Sequence, residues 1–192
     1  MPLTNTQVAN RALGKLGATP ITSYADDVSK NARDIRAVYE IILKDELRAR
    51  KWSFAIKRAT LAELVTAPAY EYEHQFALPA DFLRILDTDL SGNLYGQAYR
   101  IEGRAILTNE TSLKLRYLAY IDNPDLWDSC FVEAFACRLA CEIAETVTQN
   151  SNKRQLAWSE YEQSIKKARS AGALEHDAEY IQPDSWEQAR WQ

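Results

Sequence analysis

Lys51-Trp52-Ser53-Phe54-Ala55-Ile56-Lys57-Arg58, followed by Leu78-Pro79-Ala80-Asp81-Phe82, marks the place where the chain changes character. Upstream of Trp52 the apolar residues recur with a helical period. Downstream, Tyr, Ile, Leu and Thr are interrupted by Pro68, Pro79, Gly92, Gly96 and Gly103, and helical periodicity gives way to turns. Two aromatics therefore stand where a helical region hands over to a β-rich one. Trp52, Phe54, Leu78 and Pro79 are read as a packed hinge that sets how the second region projects from the first.

Working back from the hinge, Ala32, Ile35, Tyr39, Ile42, Leu43 and Leu47, with Val28 before them, form one apolar stripe. They predict a helix from Asp27 or Ser29 to about Arg50, with Lys30, Arg33, Arg36, Glu40, Lys44 and Arg48 on its other face. Val8, Leu13 and Leu16 predict a shorter helix before it, capped by Thr4 or Asn5 and stopped around Gly17 and Pro20. Working forward, Tyr99-Arg100-Ile101, the turn Glu102-Gly103-Arg104, Ala105-Ile106-Leu107 and Leu113 to Tyr117 predict consecutive antiparallel strands, with 87–98 as a loop. After Pro124 the helical period returns. Phe131, Phe135, Leu139, Ile143 and Val147 predict a helix over 125–148 that Pro124 starts, and Leu156, Ala157, Tyr161, Ile165 and Ala168 predict a last one over 153–171. The expected fold is α+β, a four-helix bundle of two helical hairpins with an inserted antiparallel β-subdomain and an extended C-terminal tail. The expected boundaries are 1–51, 52–123, 124–175 and 176–192.

With 192 residues, 46% hydrophobic and 26% charged, the chain is large enough to bury a core as one globular unit. Met-Pro-Leu-Thr-Asn-Thr has neither the basic nor the apolar region of a leader, and no apolar run reaches the ~18 residues of a membrane span, so a soluble protein made in a cytosol is expected. Cys130, Cys137 and Cys141 lie within one predicted helix and are odd in number, which argues against a disulfide framework. Charge is uneven: residues 1–66 carry 11 basic and 7 acidic side chains, 67–120 carry 5 and 7, and 121–192 carry 7 and 13. The basic part of one subunit could meet the acidic part of the next.

Candidate chemistry is sparse. Glu71, Glu73 and His74 mix carboxylates with a possible base, the basis of a hydrolase alternative. In a strand, however, the two glutamates face away from the histidine and a solvated β edge is the plainer expectation. Cys137 and Cys141 stand one turn apart without further ligands, as small buried apolar groups would, and no metal or cofactor is expected. His176 lies in a polar stretch and is expected to be exposed. Phosphate-loop, dinucleotide, nucleophile-elbow and zinc-protease motifs do not occur. A nucleic-acid alternative rests on Lys44, Arg48, Arg50, Lys51, Lys57 and Arg58 around Trp52 and Phe54, since aromatics among cations can stack bases.

Several blocks taken in order resemble the tail tubular protein A family, the head-to-tail adaptors of short-tailed phages. They are Ala12-Leu13-Gly14-Lys15-Leu16-Gly17 with Ile21, Ala32 to Tyr39, Trp52-Ser53-Phe54-Ala55, Leu78-Pro79-Ala80-Asp81, Ile101-Glu102-Gly103 with Ile106-Leu107-Thr108, and Phe131 to Ala144. The likeness spans roughly residues 5–170. It implies a structural virion protein, not an enzyme, that forms a dodecameric ring beneath the portal and docks the next tail component. Genomic DNA would pass through without specific binding, and no membrane or cofactor is involved. Within that picture Tyr180, Ile181, Trp186 and Trp191, aromatic and apolar residues on an acidic C-terminal stretch, are the expected portal-binding residues.

Overall fold

The computed structural model describes residues 2–88 and 99–174. It is a mixed α+β structure with, among the described residues, four α-helices and two small antiparallel sheets. Helix α1 (Asn5–Lys15) starts at Thr4 with a capping box: the Thr4 hydroxyl accepts the Gln7 N–H at 3.3 Å and the Gln7 side chain accepts the Thr4 N–H at 2.9 Å. It stops where Gly17 turns to φ +64°, with the Ala18 N–H bonded to the Leu13 carbonyl and the Gly17 N–H to that of Gly14. Lys153 satisfies the last carbonyl, Leu16, at 2.6 Å.

Helix α2 (Lys30–Ala49) is capped by Ser29. Val28 therefore lies outside the helix and is 84% exposed, so the buried stripe starts at Ala32 instead. Helix α3 (Ser129–Thr148) also begins later than expected. Pro124 opens a separate 3-10 turn, Pro124–Leu126, capped by Asn123; Trp127 is extended, and Asp128 caps α3 by accepting from Cys130 and Phe131. The Trp127 ring is buried at this break in the helical path. Helix α4 (Ser151–Leu174) buries Ala157, Tyr161, Ser164, Ile165 and Ala168, a stripe that leaves the expected inner residue Leu156 on the flank, 59% exposed. α3 is apolar nearly all round and packs against each of the other three helices, as a central helix must.

Strands β1 (Ile56–Thr60), β2 (His74–Ala77), β3 (Phe82–Thr88), β4 (Arg100–Glu102), β5 (Ala105–Thr108) and β6 (Lys114–Ala119) form the sheets β1-β6-β3 and β2-β5-β4. The hairpin β4–β5 turns at Gly103, whose φ of +57° suits a residue without Cβ. The expected run of consecutive neighbours ends there, because β6 pairs with β1 and β3 instead of β5. Leu115, Tyr117, Leu118 and Ala119 are all buried, so both faces of β6 need cover and it takes a central position, while β5 is already flanked on both sides. Residues 87 and 88 belong to β3, and 89–98 of the expected loop lie outside the described residues. Ala62 and Leu64 bond to Ala77 and Gln75, carrying the chain from β1 alongside β2 and joining the sheets. α2 packs on β3 and β6, so the first sheet sits against the helices. No helix among the described residues is long and apolar enough to cross a membrane.

Candidate functional site: the two crossings between helices and sheets

The chain passes between helices and sheets twice, and a tryptophan stands at each passage. At the first, Trp52 leaves α2 in extended conformation, and its indole N–H donates to the Glu46 carbonyl at 3.0 Å. At the second, between β6 and α3, the Trp127 indole N–H donates to the Ile121 carbonyl, also at 3.0 Å. Both acceptors lie six residues back along the chain. Each ring then meets Phe131 edge-on, with centroids 4.8 and 5.1 Å away, and Phe54 joins at 5.1 Å. Such contacts contribute about 0.5–1.5 kcal/mol each beyond the area they bury. Phe131, fully buried at the start of α3, is thus the common support of both crossings.

Leu78-Pro79-Ala80-Asp81 ties the sheets together. The Leu78 N–H donates to the Arg104 carbonyl at 2.9 Å, and the Arg104 guanidinium returns to the Pro79 carbonyl at 2.7 Å. Asp81 reaches the other sheet: one carboxylate oxygen pairs with Lys57 of β1 at 2.7 Å, the other accepts the Tyr117 hydroxyl of β6 at 3.0 Å, and its carbonyl accepts the Tyr120 N–H at 2.7 Å. Burial pushes the Asp81 carboxyl up, but the bonds from Lys57 and Tyr117 outweigh it and hold the group below the usual carboxylate range. Burial, with the same Asp81 bond adding to it, pushes Tyr117 up to about 12.

On the helical side of the first crossing lies a polar cluster that the stripe of α2 conceals. Glu46 is buried and accepts the Tyr161 hydroxyl of α4 at 2.6 Å; its second oxygen pairs with Arg50 at 2.9 Å, and Arg138 of α3 stands 3.7 Å away. The Arg138 guanidinium also covers the Trp158 ring at 4.9 Å and pairs with Glu142. Burial raises the Glu46 pKa, and Tyr161, Arg50 and Arg138 offset it only in part. Three helices therefore meet on one carboxylate. Position 46 falls three and four residues after Leu43 and Ile42, so the helical spacing did place it on the buried face.

No family model matches this chain, and no curated protein matches it.

The residues singled out in the sequence separate into groups. Trp52 is 8% exposed and Phe54 half-buried at the first crossing, while Leu78 is buried and lies with Pro79 in the link between the sheets. A buried indole whose N–H is taken offers no face to a base. Its basic neighbours are largely engaged: Lys44 pairs with Glu40 at 2.6 Å, Arg48 donates to the Leu83 carbonyl, Arg50 binds Glu46 and Lys57 binds Asp81. Glu71, Glu73 and His74 do not share a strand. β2 begins at His74, Glu71 sits at φ +67° and pairs with Arg100 at 3.1 Å, and His74 lies 2.5 Å from Glu63. Cys137 and Cys141 are buried and Cys130 is half-buried; burial pushes both buried thiols up, Cys141 to about 12, which makes a thiolate nucleophile unfavourable there. Among the described residues no group of three or more His, Cys, Asp or Glu is placed to hold a metal. His176, Tyr180, Ile181, Trp186 and Trp191 lie outside the described residues. Trp127, Glu46 and Arg138 are the structural residues that sequence reasoning missed.

Proposed function

We propose that this protein is a head-to-tail adaptor of a short-tailed phage, a structural virion protein that forms a ring beneath the portal and docks the next tail component. One observation carries the reading. Of the motifs behind the family likeness, Trp52 and Phe54 are committed to packing and a hydrogen bond at the passage between α2, α3 and the sheets, and Asp81 to bonds that tie its loop to β1 and β6. A mechanical part needs geometry of that kind, whereas an enzyme needs convergent polar groups in a cleft. In this reading the helices form a four-helix bundle that makes the ring wall. The β-subdomain, inserted between the two helical hairpins, faces the tail. Neighbouring subunits meet head to tail, which closes into a ring when the rotation permits. The C-terminal stretch, through Tyr180, Ile181, Trp186 and Trp191, anchors the portal and pays its ordering cost on assembly. DNA slides through the ring without a binding site for it.

Binding to isolated portal-containing heads tests this. The full-length chain should bind them, and truncation before Tyr180 should weaken binding. Failure of the full-length chain to bind would remove the adaptor reading, and unchanged affinity after truncation would remove the anchor role of the tail.

A further inference from the structure

We propose that the free edge of β4 pairs with the same edge of a second copy of this chain, joining two β2-β5-β4 sheets across a twofold axis. β4 ends its sheet, since β5 lies on one side of it and no described strand lies on the other. All three of its residues, Arg100, Ile101 and Glu102, are exposed. Bonded and non-bonded pairs alternate along an antiparallel ladder, and the two-residue turn at Gly103-Arg104 closes on the bonded pair of Glu102 and Ala105. Ile101, opposite Ile106, therefore turns its N–H and C=O away from β5, toward the open edge. An edge of this kind is a template for another strand unless charge, proline or a bulge blunts it.

The residues of β4 select the strand. In an antiparallel pair centred on Ile101, the two Ile101 residues exchange both backbone hydrogen bonds, and Arg100 of each copy stands opposite Glu102 of the other. Both cross-strand pairs then carry opposite charges, the arrangement that stabilises adjacent strands. A slip of two residues, the next register that keeps the faces aligned, would oppose Arg100 to Arg100 or Glu102 to Glu102. On its own chain Glu102 has no close partner, because the Arg100 guanidinium stands 3.8 Å from it and 3.1 Å from Glu71. Arg100 of the second copy supplies one. Ile101 shares its face of the sheet with the buried Ile106 and Phe76 and is itself 45% exposed, so the paired isoleucines extend the apolar face. The contact is isologous and closes at two copies. It generates no ring and stands apart from the adaptor reading.

Sedimentation velocity of the full-length chain over a concentration series up to about 1 mM tests the proposal, because a contact this short binds weakly. An equilibrium between one and two copies is expected. Arg100→Glu and Glu102→Arg each oppose like charges at both cross-strand pairs and should weaken it about tenfold or more, and the double reversal should restore it. Thermal melts check that the variants are folded. Ile101→Cys sets two thiols at a Cα separation of about 5.5 Å, which a disulfide accepts, so oxidation should link two copies and should not do so in the wild type. A wild-type chain that stays monomeric through the series would overturn the proposal and leave the edge to a different strand. So would single reversals that pair as the wild type does, a double reversal that stays weak, an Ile101→Cys chain that does not cross-link, or growth past two copies. Portal binding reports on the adaptor reading separately: heads bound by a chain that never pairs would overturn only this proposal.

Discussion

The two crossings use one device in two different settings. Trp52 and Trp127 each donate to a carbonyl six residues back, each lies edge-on to Phe131, and they are 8% and 7% exposed. The carbonyl that Trp52 uses belongs to Glu46, whose buried carboxylate binds Tyr161, Arg50 and Arg138, so the first crossing is wired to α3 and α4 through charge. The second has an apolar setting, with Trp127 also meeting Phe135 at 5.3 Å and a capped helix start following it. The difference teaches that similar packing can hide different chemistry. Removing the rings should affect both passages alike, and changing pH should single out the first.

The largest expected effect is on the shared support. Phe131→Ala should cost about 3–5 kcal/mol, measured by denaturant unfolding, and Trp52→Ala and Trp127→Ala should each fall in the same range. Because both rings lean on Phe131, the double tryptophan variant should depart from the sum of the single ones; strict additivity would show that the crossings are independent. A smaller effect separates ring from hydrogen bond: Trp52→Phe and Trp127→Phe should each leave a carbonyl unpaired at a cost of about 1–3 kcal/mol. A much larger loss at one position would break the equivalence.

The pH response sharpens the contrast further. Glu46 has a raised pKa in the folded state, so the folded protein holds the extra proton and stability falls as pH rises from the ordinary glutamate value through the raised one. Asp81 and Glu133 have lowered values, Glu133 because Lys15 and Arg11 outweigh its burial. Their contribution is present above the ordinary carboxylate range and is lost as pH falls through the lowered values. Glu46→Gln should remove the loss on the higher-pH side and leave the acid side unchanged in urea titrations at stepped pH. An unchanged profile would mean that Glu46 does not govern the first crossing.

These contrasts also show what the sequence could reveal. Trp52 was legible because it ends a long amphipathic stripe, and the caps and stops at Thr4, Ser29 and Gly17 follow from local chemistry that neighbours do not override. Trp127 was not legible, since Pro124 followed by a helical period reads as one helix start, whereas an extended Trp127 and the Asp128 cap split the turn from α3. Strand positions near the Gly103 hairpin were readable for the same local reason as the caps. The partner of β6 was not, because alternation fixes which residues face inward but not which strand lies alongside. Glu46 sat on the predicted stripe yet looked like a surface charge. Its partners Tyr161 and Arg138 come from helices roughly ninety and more residues away, beyond the reach of local spacing.

Rings, not chemistry, are the central claim, and native mass measurement of the full-length chain with and without portal rings tests it most directly. The account predicts little or no assembly alone and a closed ring of this chain on the portal. A chain that stays monomeric and never binds the portal would contradict it.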